Sequence, residues 1–153
     1  MITYQKDTVE NVFRDIGDTF IKHHEEVESY TKDVPLDIDR EQYEALEAVG
    51  ALHAVSVRDD GELIGYYVSM VMPHPHHKGS LFAVNDIIYI DPEYRKSGVA
   101  AEMILFAENE LRGAGVDVMT FSMKAAYPFK SLAKHVGFEE TEIVYSKYIG
   151  DNG

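Results

Sequence analysis

The residues best suited to chemistry lie in Pro92-Glu93-Tyr94-Arg95-Lys96-Ser97-Gly98-Val99-Ala100, where two adjacent cations, a hydroxyl and a glycine meet. The strand-forming run Asn85-Asp86-Ile87-Ile88-Tyr89-Ile90 stops before it at Asp91-Pro92, and an amphipathic helical pattern follows it. A strand that turns into a helix through a glycine aims several backbone N–H groups at one point, and the helix dipole adds partial positive charge there. Such a point suits a phosphate or pyrophosphate. Gly98 lets the backbone approach the ligand closely, while Arg95 and Lys96 supply charge in an otherwise acidic chain. A P-loop needs Gly-Lys-Ser/Thr, but the order here is Lys96-Ser97-Gly98 with no second glycine upstream, and the dinucleotide pattern Gly-x-Gly-x-x-Gly is also absent.

The elements that must position these residues follow from periodicity. Ala100, Met103, Ile104, Ala107 and Leu111 make one apolar face of a helix expected to end near Gly113 and Gly115. Thr8 is a cap for a first helix with Val12, Phe13, Ile16 and Phe20 inward. Asp39 followed by Gln42 resembles a capping box opening a second helix, with Tyr43, Leu46 and Val49 inward. Leu52–Val57 and Leu63–Val71 alternate as strands around the hairpin signal Asp59-Asp60-Gly61, and Leu81–Ile90 is the next strand. Asp117–Met123 reads as a strand, Pro128–Val136 as a short helix with proline in its first turn, and Glu140–Ile149 as a final strand. The order is mixed α/β, without an internal repeat or linker.

Arg95-x-x-Gly98-x-Ala100 resembles the acetyl-CoA signature of the GNAT acyltransferase superfamily, Arg/Gln-x-x-Gly-x-Gly/Ala. Its context strengthens the resemblance: Tyr89–Arg95 looks like the family's strand end and proline turn, and Leu132–Glu139 like its helix ending in Gly-Phe. Lys124–Phe129 and the ending Val144–Lys147 look like GNAT proteins carried by tailed bacteriophages. The resemblance implies an α/β (α+β) acyl-CoA N-acyltransferase fold, a central mixed splayed sheet flanked by helices, with residues 1–153 as a single domain.

It further implies direct acetyl transfer from the cosubstrate acetyl-CoA to a primary amine, without an acyl-enzyme intermediate. The cofactor would run along Ile88, Tyr89 and Ile90, with backbone N–H groups at Ile88 and Ile90 orienting it. Arg95, Lys96, Ser97, Gly98, Val99 and Ala100 would take the pyrophosphate, and Phe129 joins the same set. Asp86 is the expected base, four residues before Ile90 where many family members carry a glutamate. Strand alternation places Asp86, Ile88 and Ile90 on one face, barring a bulge. Asp86 could equally bond a neighbouring loop or bind a cationic substrate without taking its proton. Ala133 stands where many members have a tyrosine acid, so Tyr127, or less directly Tyr145, is the candidate proton donor. Plain amphipathic packing is the competing explanation for both tyrosines.

Composition narrows the partners. The 153 residues, 45% hydrophobic and 27% charged, suit an ordinary globular core. The amino terminus lacks a signal peptide's basic and apolar regions and no apolar run has membrane-spanning length, so the expectation is a cytoplasmic protein. With no cysteine, neither disulfides nor a thiol nucleophile enter. The net charge of -13 disfavours nucleic acid and anionic membranes; a well-solvated acidic surface is its first explanation, and steering of a cationic acceptor, whether a small-molecule amine, a lysine or an N-terminal amine, its second. His74, His76 and His77 lie in a proline-broken loop where adventitious metal affinity is expected rather than a metal site, and the loop could instead border the acceptor cleft. His53 and His135 read as surface or edge residues. Val144–Ile149 could pair with the edge of another chain in a homodimer. The alternative to an enzyme is a GNAT-like module that holds acyl-CoA or a protein partner without turnover.

Overall fold

The structure is a computed structural model that describes residues 1–17, 34, 37–123 and 129–150. Its frame is a five-stranded sheet in the order β1-β2-β3-β4-β5. β1 (Ile2–Asp7), β2 (Leu52–Asp59), β3 (Glu62–His74) and β4 (His77–Ile90) are antiparallel neighbours, and β5 (Val118–Thr120) joins β4 in parallel. Helices α1 (Val9–Ile16) and α2 (Arg40–Ala48) cover one face, and α3 (Val99–Gly113) covers the other. A short helix, α4 (Lys130–His135), follows β5.

Local signals account for the helix starts. The Thr8 side chain accepts from the Asn11 N–H at 3.1 Å and the Asp39 carboxylate accepts from the Gln42 N–H at 3.0 Å, so both helices begin at the expected caps. Val12, Phe13 and Ile16 are buried under the sheet, whereas Phe20 lies outside the described residues. Val49, expected inward, ends α2 and is 77% exposed, because the helix stops one residue before the chain turns away.

β1 is a strand that the sequence reading did not single out, although Ile2 and Tyr4 alternate toward α3. Its last residue, Asp7, is buried among the Ser56 hydroxyl (2.7 Å), the Arg58 guanidinium (3.0 Å), the Thr8 N–H (2.8 Å) and the Asn11 amide (3.1 Å). Burial by itself raises this carboxyl, but those donors outweigh it and hold it down at about 2. The cluster ties β1, α1 and β2 together.

Two apolar layers sandwich the sheet. Val9, Val12, Phe13, Ile16, Tyr66 and Val68 fill the α1/α2 side; Val55, Val57, Tyr67, Val99, Met103 and Ala107 fill the α3 side. The expected final strand over Glu140–Ile149 is not formed: every residue from Glu139 to Ile149 is exposed and none pairs as a strand. The histidine segment also differs from expectation. Instead of a broken loop, β3 reaches His74 and β4 starts at His77, with Pro73 tolerated within the pairing where the register shifts. His53 is not at the surface but 6% exposed on β2, where burial lowers its imidazole pKa.

Candidate functional site

β4 is paired on both sides only over part of its length. Phe82, Ala83 and Val84 lie beside Val118, Met119 and Thr120, and the parallel ladder ends there. At that point Asn85 replaces the backbone: its amide donates to the Ser122 carbonyl at 2.9 Å, and its carbonyl accepts from the Ser122 N–H at 2.7 Å and hydroxyl at 3.0 Å. Beyond Asn85, no ladder between β4 and β5 is present among the described residues, and the sheet splays as the sequence resemblance implied.

The direction of the backbone in the splayed half follows from one bond. Asp91 N–H donates to Ile64 O at 2.7 Å, so Asp91 faces β3. N–H and C=O groups alternate between the two edges of an antiparallel strand, which turns those of Ile90 and Ile88 to the outer edge. The Arg95 Nε, which reaches Ile90 O at 2.8 Å from that outer side, agrees. Ile88 and Ile90 therefore present backbone donors to the cleft while their side chains pack toward α3. Tyr89 is a correction to the expected set. The same alternation gives its N–H to β3, and its ring lies on the other face, stacked on Tyr66 at 5.5 Å with the Arg95 guanidinium 5.6 Å from its centroid.

The turn after β4 is tightly built. Pro92–Tyr94 form a 3-10 turn started by the Asp91 carboxylate, which accepts from the Glu93 N–H at 3.1 Å. The Tyr94 hydroxyl donates to Asp59 at 2.8 Å, which fastens the turn to the β2–β3 hairpin, and that carboxylate pushes the phenol up to about 12. Ser97 spends both its N–H and its hydroxyl on Tyr94 O, so it closes the turn rather than lending a donor. Gly98 caps α3 at φ +86°, a left-handed conformation that glycine adopts without strain, and a Cβ there would point into open space before the helix. The first bond into α3 runs from Glu102 N–H to Gly98 O, which leaves the N–H groups of Val99, Ala100 and Ala101 at the helix mouth. Val99 is buried, Ala100 half-buried, and Lys96 exposed beside the mouth.

Asp86 does not share a face with Ile88 and Ile90. Val68 pairs with Ile87 and Ser69 with Asn85, so Asp86 is the extra residue of a β-bulge. The bulge turns its carboxylate to the α1/α2 side, where it accepts from the Tyr43 hydroxyl at 2.5 Å. Tyr43 packs edge-on against Phe13 at 5.1 Å, and its burial, with the bond to Asp86, pushes its phenol well above the usual range. Tyr43 was expected only as core, and nothing within its own helix marks it as a partner for a strand 43 residues away.

The match to a known family decides what this geometry is. The model of the acetyltransferase (GNAT) family matches residues 18–138. The chain belongs to that family. No curated protein sequence matches it. Among solved structures, the chain is similar to a ribosomal-protein-alanine N-acetyltransferase from Brucella melitensis biovar Abortus 2308, at 16% identity and a TM-score of 0.70 over 98% of this chain and 100% of that one. An aminoglycoside acetyltransferase from an uncultured soil metagenomic sample, solved with sisomicin, matches at 12% identity and a TM-score of 0.71, covering 98% and 97% of the two chains. A predicted acetyltransferase from Clostridium acetobutylicum, solved with acetyl-CoA, matches at 17% identity and a TM-score of 0.71, covering 97% and 96% of the two chains. At such identities these likenesses establish the fold, a mixed α+β acyltransferase sheet flanked by helices.

In this GNAT chain the tyrosines expected as proton donors are Tyr127 and Tyr145. Tyr127 lies outside the described residues. Tyr145 is 90% exposed on the carboxy-terminal segment. Ala133, in α4, contributes a backbone carbonyl that accepts from Phe138 N–H at 2.9 Å. Phe129, half-buried at the start of α4, sits edge-on to Phe121 at 5.3 Å. The three histidines gather at the far tip of β4, with His74 and His77 ring centroids 5.2 Å apart and His74 4.6 Å from Phe82. At about 3.3 Å per residue His77 is roughly 30 Å along the strand from Asp86. Among the described residues, no group of three His, Cys, Asp or Glu side chains is arranged to hold a metal ion.

Proposed function

We propose that this chain transfers an acetyl group from acetyl-CoA directly to a primary amine. The observation that carries the proposal is the alignment of the splayed outer edge of β4, with the N–H groups of Ile88 and Ile90, with the glycine-led mouth of α3. A pyrophosphate suits that mouth: backbone donors at Val99, Ala100 and Ala101, open space before Gly98, and the positive charge of Lys96 and Arg95. The thioester would lie along Ile88 and Ile90, whose donors favour negative charge developing on its carbonyl oxygen; such donors are worth roughly 3 kcal/mol elsewhere.

Asp86 would act as base through water. Aspartate is short, and its carboxylate is exposed on the bulge. Once neutral, the amine nitrogen forms a bond to the thioester carbon and gives up its extra proton to water, the carbon–sulfur bond breaks, and the thiolate takes a proton from solvent or from Tyr127. The acidic chain, at net charge -13, favours a cationic acceptor in the cytoplasm. Small aminoglycoside-like amines, polyamines and lysine side chains all have that chemistry.

Calorimetric titration with acetyl-CoA and CoA tests the cofactor half of this reading. Specific binding is expected in the wild type and its loss in Gly98→Trp; a folded wild type that binds neither ligand sinks the proposal. Thiol release across an amine panel tests the catalytic half. Ala133, at a position where many relatives carry a tyrosine, favours one second reading: a module that binds acyl-CoA without turnover. Intact binding with no thiol release on any amine would select it.

A further inference from the structure

We propose that the Tyr67 hydroxyl donates a hydrogen bond to the sulfur of the bound thioester and holds the negative charge that the sulfur gains as it departs. The assignment rests on the acetyl-transfer reading and adds one residue to that site.

The bulge in β4 opens the opposite side of the sheet. Asp86 and Ile87 both face α1 and α2, so no β4 side chain covers the α3 side between Asn85 and Ile88. Tyr67 fills that gap. It pairs with Ile88, and its ring lies 6.0 Å from that of Phe121, which stands just past β5. Because β4 runs between β3 and β5, the ring passes beneath β4 and floors the point where β4 and β5 part.

The hydroxyl of that ring is shut off from water and unbonded. Tyr67 and Ser69 are 0% exposed and His53 is 6% exposed; among the described residues the two hydroxyls and the His53 Nδ1 have no hydrogen-bond partner. An unpaired buried hydroxyl costs stability, and phenylalanine would fill the same space without that cost. The three atoms are not equally placed for a ligand. His53 lies on β2, two strands in from β4, and the short Ser69 side chain on β3 lies one strand in. Of the three, the phenol reaches Phe121 on the far side of β4. The Ile88 N–H and the Tyr67 phenol belong to one row of the sheet, so a thioester carbonyl oriented by the first brings its sulfur toward the second.

Burial pushes the phenol up to about 12. A thiol, ordinarily at about 8.5 in a cysteine, does not draw the proton from such a donor, so the O–H stays intact and donates a hydrogen bond. As nitrogen bonds to the carbonyl carbon, the electron pair of the breaking carbon–sulfur bond goes to sulfur, and the proton that completes the thiol comes from solvent or Tyr127. A hydrogen bond to a charged acceptor is roughly twice as strong as one to a neutral acceptor. The phenol therefore favours the departing thiolate over the bound thioester, which is the condition for accelerating the step.

Tyr67→Phe removes an unpartnered hydroxyl, so the variant should fold with its urea midpoint unchanged or raised and bind acetyl-CoA in calorimetry as the wild type does. CoA bound to each protein is then titrated with pH, and the ultraviolet difference absorbance of the thiolate against CoA-free protein gives the pKa of the bound thiol. Loss of the phenol should raise that value by about one pH unit, and kcat should fall about tenfold to a hundredfold with the KM for acetyl-CoA unchanged. A bound-thiol value equal in the two proteins overturns the assignment whatever happens to kcat, since a merely structural effect on turnover would leave it unmoved. A folded wild type that binds neither acetyl-CoA nor CoA overturns the acetyl-transfer reading and this assignment together.

Discussion

Asp7 and Asp86 both end or interrupt a strand of the same sheet, yet their surroundings are opposites. Asp7 is 8% exposed and held by Ser56, Arg58, Thr8 and Asn11, with Arg58 also paired to Asp15 at 2.9 Å. Asp86 is exposed on a bulge, with the hydroxyl of Tyr43 from across the fold as a partner. A carboxylate ringed by donors stabilises its ionised form and fixes three elements; it is poorly placed to take up a proton. One at the mouth of a splayed sheet keeps access to water and to an incoming amine. The difference separates an acid that holds the fold from the acid that the proposed function takes as its base.

The largest expected effect removes the second role while sparing the first. Asp86→Asn should lower kcat/KM for the amine by about 100- to 1,000-fold with acetyl-CoA affinity unchanged, measured by steady-state thiol release alongside calorimetry. A fall of less than threefold would reduce Asp86 to a substrate contact.

Asp7→Asn should do the reverse. Unpairing this buried cluster should cost about 2 kcal/mol of stability in a urea titration, while the folded fraction keeps its turnover. The pH dependence follows from a folded-state value of about 2, below the roughly 3.9 of an unfolded aspartate. The contribution of Asp7 is fully present above about pH 4 and fades as pH falls toward 2, so wild type and variant should converge in stability across that window. A stability gap that persists at pH 2 would contradict this account.

A smaller effect is expected at the Asn85–Ser122 strap. Asn85→Ala should cost about 1 kcal/mol of stability and raise the KM for acetyl-CoA several-fold, because the two strands would no longer be set at a fixed separation where they part. Unchanged KM with lowered stability would make the strap purely structural.

Smallest is Tyr43→Phe. Its hydroxyl donates to the Asp86 carboxylate and helps to orient it, so losing it should lower kcat/KM for the amine by less than about tenfold with acetyl-CoA affinity unchanged, read by steady-state thiol release alongside calorimetry. A fall as large as that of Asp86→Asn would make the hydroxyl more than a positioning contact.

Much of the frame is legible in the chain because its signals are local. Thr8 and Asp39 cap helices through their own neighbours, Asp59-Asp60-Gly61 turns a hairpin, and the apolar spacing from Ala100 to Leu111 defines α3. The Arg95–Ala100 motif likewise marks the helix mouth, since a strand, a turn and a glycine cap are all written within a dozen residues. In and just before that motif the individual roles were less legible: the Ser97 hydroxyl bonds back to Tyr94 O and the Tyr89 ring stacks on Tyr66, contacts that depend on the turn's own fold and on β3.

Sequence by itself determined the family signature, the caps of α1 and α2, the β2–β3 hairpin and the glycine that opens α3, because each rests on backbone preference and short spacing. Only the tertiary structure decided which way Asp86 faces, since one extra residue in β4 appears only when its register against β3 is known. The same holds for Tyr43 meeting Asp86, for the strap at Asn85 and for a last segment that forms no strand within its own fold. These are matters of pairing between distant parts of the chain, and a strand pattern specifies that a residue can pair without specifying with what.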